Sequence, residues 1–115
     1  MFRFEGLEIW QLAIKYAEKL YSVSRAFPDE ERYALADQLR RAAISISNNI
    51  AEGSGGTDRE FRNFLSMSVK STLECINILI IAERLRYISR ATKDSLYEEG
   101  ERLIRKIRSF RNTFP

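Results

Sequence analysis

The chain has 115 residues, 44% of them hydrophobic and 30% charged, with a formal net charge of +3 at pH 7. That length supports one folding unit over 1–115 with its own core, the composition excludes a chain dominated by disorder, and the charge alone does not mark a nucleic-acid binder. The absence of histidine excludes histidine-based acid–base chemistry, the usual catalytic triad and histidine metal sites.

Apolar periodicity predicts an all-α chain of four helices, at about 7–26, 29–52, 58–87 and 90–112, with no strand pattern. Helix 1 carries Leu7, Trp10, Ile14, Ala17, Tyr21 and Ser24 as a seam, with Ile9, Tyr16 and Val23 as a second stripe. Phe27-Pro28 ends it, because the residue before a proline is pushed out of the α region. Helix 2 is expected to open at Asp29, a carboxylate able to cap free amides, and to stop at Gly53.

Gln38–Gly53 is the most informative stretch. Leu35, Leu39, Ala42, Ile46 and Ile50 recur at spacings of three and four, one face of a helix turned to a core. Gln38, Arg41, Ser45, Asn49 and Glu52 recur in the same way beside them. That polar ladder is either buried and internally satisfied, with Asn49 and Glu52 locking the helix end, or it faces a polar partner.

Thr57-Asp58-Arg59-Glu60 has the form of a capping box and fixes the start of helix 3. The second half of that helix is nearly apolar all round, which predicts burial on more than one side. Tyr16, Ile76 and Ile80 are therefore expected to exceed what one bundle can hide and to be covered by further copies of the chain. Cys75, alone among apolar neighbours, reads as a small buried hydrophobe in a reducing compartment. Ser89 is the expected cap of helix 4, whose stripe is Leu96, Gly100, Leu103, Ile107 and Phe110. Short connections between four helices predict an antiparallel up-down-up-down bundle.

No signal peptide is visible, and the longest strongly apolar run, Ile78 to Ala82, is too short to span a bilayer. A cytoplasmic protein without membrane contact is expected. No cofactor or metal site is expected either, since GSGG at 53–56 lacks the lysine and preceding strand of a phosphate loop. The sequence predicts no enzyme.

From Arg102 onward there are five cations, Arg102, Arg105, Lys106, Arg108 and Arg111, and no acid. Glu98 and Glu101 are placed to pair with Arg102 and Arg105 one turn on, leaving Lys106, Arg108 and Arg111 without an acid four residues upstream. Arg40 and Arg41 read two ways. One of them pairs with Glu74 or Asp37, or both line a cationic surface shared between subunits.

Leu7-Glu8-Ile9-Trp10-Gln11, Phe27-Pro28, Gln38-Leu39-Arg40-Arg41-Ala42-Ala43 and Asn49-Ile50-Ala51-Glu52-Gly53, with Phe61, Phe64-Leu65, Ser71 and Glu74, resemble a known family. It is the group of four-helix bundle proteins that includes the 23S rRNA intervening-sequence proteins and the accessory proteins of diversity-generating retroelements. The resemblance spans roughly 4–88, and in it Trp10, Gln38, Asn49, Glu52, Gly53 and Glu74 belong to the structural motif.

Two positions depart from the family pattern. Ser47 stands where proline is usual, which keeps a helical hydrogen bond. Lys70 stands where glycine is usual, and its ammonium must face water, an acid or an anion. The resemblance implies a ring-shaped homopentamer and, for the retroelement members, association with RNA or DNA and a reverse transcriptase. The functional expectation is a non-enzymatic oligomer that binds nucleic acid through Arg102, Arg105, Lys106, Arg108 and Arg111, with Arg40, Arg41 and Lys70. The alternative is a protein-interaction scaffold without nucleic-acid contact.

Overall fold

The computed structural model describes all of residues 1–115. Its four helices are α1 (Glu8–Ser24), α2 (Leu35–Ser54), α3 (Asp58–Arg84) and α4 (Arg90–Arg111), with 3-10 turns at Arg3–Gly6 and Asp29–Glu31 and no strand. Each helix packs on its neighbour in sequence and α1 closes against α4, while the backbones of the diagonal pairs stay apart and only their core side chains approach one another. Along every packed pair the partners' numbers rise on one helix as they fall on the other. Glu8 meets Lys106 and Lys19 meets Glu99; Ser68 meets Ile46, and the Gly53 backbone meets Phe64.

Two of the sequence-predicted starts form as expected. Thr57 Oγ1 accepts from the Glu60 amide at 3.2 Å while Glu60 Oε1 accepts from the Thr57 amide at 2.8 Å. The amide donated by Thr57 holds the Glu60 carboxyl below its ordinary range, so this link persists above that range and is lost as pH falls through the lowered value. Ser89 Oγ accepts from the Thr92 amide at 3.1 Å and opens α4.

Three boundaries differ from expectation. α2 starts at Leu35 rather than Asp29: Asp29–Glu31 makes one 3-10 turn whose leading residue gives no side-chain cap, and the Glu31 carboxylate reaches the Leu35 amide at 3.4 Å. The same carboxylate accepts from the Tyr87 hydroxyl at 2.8 Å, tying the α1–α2 loop to the α3–α4 loop. α3 stops at Arg84 because Arg86 takes a left-handed φ of 64°. The Tyr87 amide then turns back to the Ala82 carbonyl and the Arg86 amide to Glu83, which satisfies the free carbonyls of the helix end.

Gly53 is the third. It is not the stop of α2, which runs on to Ser54 with Gly55 as its cap. Gly53 is buried instead where α3 passes closest, and an added Cβ would lie 2.6 Å from Phe64 Cβ and 2.8 Å from Phe61 Cδ1.

The core runs the length of the bundle and unites all four helices. The α2 stripe faces it as predicted, with Leu39, Ala42, Ile46 and Ile50 buried. On α1 the buried line is Ile9, Ala13, Tyr16, Ala17, Leu20 and Ser24. The predicted seam members Trp10, Ile14 and Tyr21 sit at its half-buried edge, and Trp10 packs on Phe4 at 5.2 Å.

Tyr16 and Ile76 are not left over for another subunit. Both are buried within the single chain, and Tyr16 donates its hydroxyl to the Leu96 carbonyl at 2.9 Å. Burial pushes the Tyr16 phenol far above its ordinary range and the Cys75 thiol up to about 12, so Cys75 is an inert core thiol. By length and composition α3 is apolar enough to cross a membrane, with a mean hydropathy of 1.5 over its most apolar window. The reading from Ile78–Ala82 alone missed this, because serines and threonines between the apolar residues barely lower the average. In the bundle the Ser68 and Thr72 hydroxyls are buried and donate to the Ile46 and Ser68 carbonyls.

Candidate nucleic-acid interface

The C-terminal cations of α4 do not form one patch. At 100° per residue, the core stripe Leu103–Ile107 divides them. Arg102 and Lys106 fall towards α1, Arg108 and Arg111 towards α3, and Arg105 outward.

On the α3 side, Lys70 comes into the same groove as Arg108 and Arg111. The groove has a volume of about 380 Å³, an apolar strip from Val69 and Leu73, and no carboxylate in its lining. Lys70 and Arg108 make no ion pair. Arg111 Nε donates to the Arg62 carbonyl at 3.2 Å, and Arg62 Nη1 donates to the Pro115 carbonyl at 2.7 Å. The first of these bonds fixes the Arg111 guanidinium plane and leaves its other N–H groups for the groove.

The remaining predicted cations are placed otherwise. Arg105 sits 3.7 Å from Glu101, the expected one-turn pair, whereas Glu98 and Arg102 form none. Lys106 is not free of acids: it bonds Glu8 of α1 at 3.0 Å, a partner that spacing along α4 cannot reveal. Arg41 bonds Asp37 at 3.0 Å, and Arg40 Nε donates to Ser24 Oγ at 3.0 Å. Glu74 is exposed and pairs with neither arginine.

The polar ladder of α2 is only partly inward. Asn49 is buried and donates to the Ser45 carbonyl and hydroxyl at 2.8 and 3.1 Å, and Ser45 in turn bonds Ser71 at 2.9 Å across to α3. Gln38 and Glu52 are exposed, and the side-chain bonds near the end of α2 come from Asn49 and Ser54, so Glu52 does not lock the helix end. Ser47 is buried and donates to the Ile44 carbonyl at 3.2 Å. No three potential metal-ligating side chains converge anywhere in the chain.

Two cations that the sequence reading passed over, Lys15 and Lys19, face Arg102 and Lys106 across the α1–α4 seam. Their i, i+4 spacing on α1 was the available signal.

A family model described as 23S rRNA-intervening sequence protein matches residues 5–109. The chain belongs to that family. Among solved structures, a Bacteroides thetaiotaomicron VPI-5482 protein of unknown function from the S23 ribosomal protein family superposes with a TM-score of 0.82. The two are 20% identical, and the match covers 90% of this chain and 97% of that one, a likeness of fold. No curated protein matches the chain.

Proposed function

We propose that this family member is a non-enzymatic, self-associating helical bundle of the cytoplasm that binds RNA or DNA through phosphates, as an accessory to a nucleic-acid enzyme. A reverse transcriptase is the enzyme class that the family resemblance suggests. The observation that carries the reading is the meeting of Lys70, Arg108 and Arg111 in a groove without an acid. Lys70 comes from α3 and the two arginines from α4, so the bundle itself assembles the cationic surface. No groove-reading element accompanies it, which favours contact with the backbone over bases.

Labelled single-stranded RNA and duplex DNA should both be retarded at low salt, with affinity falling steeply as salt rises. Lys70→Glu with Arg108→Glu should weaken every sequence alike by at least tenfold, and should lower the salt slope by roughly one for each phosphate no longer neutralised. Arg25→Glu, at the end of α1, should change little. No retardation at low salt, or equal effects of the two reversals, would leave the protein-interaction scaffold as the better reading.

Self-association rests on what stays exposed after the bundle closes. Met67 and Leu73 on α3 are each 48% exposed, and Ile44, Ile81 and Leu85 are also uncovered. A ring of five, as the resemblance implies, would bring several copies of the Lys70 groove into one assembly. Light scattering should give about five times the 13.4 kDa chain mass. A single-chain mass at micromolar concentration would defeat this part of the proposal.

A further inference from the structure

The outer face of α2 carries a polar line that the bundle does not use. Arg41, Ser45, Asn48 and Glu52 follow one another at steps of four, three and four residues. Eleven residues make three turns and about 20°, so Arg41 and Glu52 stand on nearly one line of the helix, about 16 Å apart along its axis. Both are exposed, and with Ile44, Ser45 and Asn48 they line one shallow depression of about 420 Å³. Glu52 has no cation within ion-pair distance. The Arg41 side chain is 81% exposed and holds Asp37 through Nε alone. Such an exposed one-turn pair contributes little, and it leaves both terminal nitrogens of the guanidinium for a further carboxylate. Ile44, 40% exposed, is the large apolar side chain that α2 leaves uncovered.

We propose that this face docks on the same face of a second copy of the chain, α2 against α2, antiparallel about a twofold axis. The steps of four, three and four read alike in both directions, and the two ends of the line carry opposite charges. Turning the helix about a point between Ser45 and Asn48 therefore sets Arg41 of each copy against Glu52 of the other. Two equivalent ion pairs form at once, as an isologous contact requires. The two Ile44 side chains flank the axis and supply the part of the contact that gains from leaving water. The depression is lined by two acids, Asp37 and Glu52, and two cations, Arg40 and Arg41. Nucleic acid presents one sign of charge and gains no net attraction there, in contrast to the Lys70 groove. A partner has to offer both signs at matching distance, and this surface is its own complement. The contact goes beyond the proposed ring, because a single ring of five has no twofold axis between its members, and it shares no residue with the Lys70 groove.

The test is light scattering of the full-length protein at low salt over a rising concentration series. The parent mass should double from its dilute value, whether that value is a ring or one chain. Arg41→Glu and Glu52→Arg, each alone, should raise the concentration needed for doubling at least tenfold, because like charges then face each other twice. Mixing the two variants in equal amounts, or combining both changes in one chain, should restore doubling at the parent concentration. Lys70→Glu should leave it unchanged. The proposal is overturned by a parent mass that never doubles, by doubling that either reversal leaves intact, or by failure of the mixture or the double variant to recover it. If a reversal proves unfolded by circular dichroism, Asn48→Glu, which brings two new carboxylates beside the axis, supplies the same tenfold criterion. A dilute mass of one chain that still doubles would end the ring of five and leave this contact standing, so the two readings fail separately.

Discussion

Tyr16→Ala is expected to lower the unfolding free energy by about 3–5 kcal/mol, the range for deleting a large buried aromatic side chain. Against a total on the order of 10 kcal/mol for a domain of this size, urea denaturation should show a large fall in midpoint. Tyr16 is the largest fully buried side chain and lies where α1, α3 and α4 converge. Its hydroxyl marks the tightest approach in that region, since a Cβ added at Gly100 would fall 2.5 Å from it and 3.0 Å from Ile76 Cδ1. Tyr16→Phe removes only the bond to Leu96 and should cost about 1 kcal/mol. Gly100→Ala should destabilise the parent despite the gain of about 1 kcal/mol in helix propensity, and should be milder when combined with Tyr16→Phe. A double-mutant cycle measures that relief directly. Equal costs of Gly100→Ala in both backgrounds would mean that Ile76, and not the hydroxyl, sets the helix spacing.

Gly53→Ala carries the second large effect. The new methyl would meet Phe64 Cβ at 2.6 Å, an atom fixed to the α3 backbone that cannot swing aside. α2 and α3 must therefore separate next to their connecting loop, at a cost of about 1–3 kcal/mol for overpacking. The melting temperature should drop by several degrees, at roughly 4–8 °C per kcal/mol for a small domain. Gly6→Ala is the matched control, since nothing lies within 4 Å of its added Cβ. A Gly53→Ala protein melting with the parent would show that the packing there is looser than the geometry described.

The features legible in the sequence were those whose cause is local. Thr57 and Ser89 bond amides three residues away, and the narrow stripe of α2 has one possible centre. The arc of α1 is too broad for periodicity to fix its middle, so the line through Ala13 and Leu20 emerged only once α2 and α4 were in place. The start of α2 depends on Glu31 reaching forward to Leu35, a contact outside the usual capping spacing. For the candidate site, the cationic run of α4 was plain, yet its division by the Leu103–Ile107 stripe follows from helical geometry that a linear count ignores. The meeting of Lys70 with Arg108 and Arg111 joins residues far apart in the chain, and only the antiparallel packing of α3 on α4 brings them together. The Glu8–Lys106 bond escaped notice for the same reason.

The anchoring of Pro115 by Arg62, together with Arg3 lying 5.3 Å over the Phe61 ring, has a practical side. Both extremities of the polypeptide emerge beside the connection between α2 and α3. An affinity handle or fluorescent fusion on either one would crowd the Arg111 end of the α3–α4 groove. Surface attachment through the far pole, near Tyr33 and the Glu31–Tyr87 tie, would keep that groove open to long polymers.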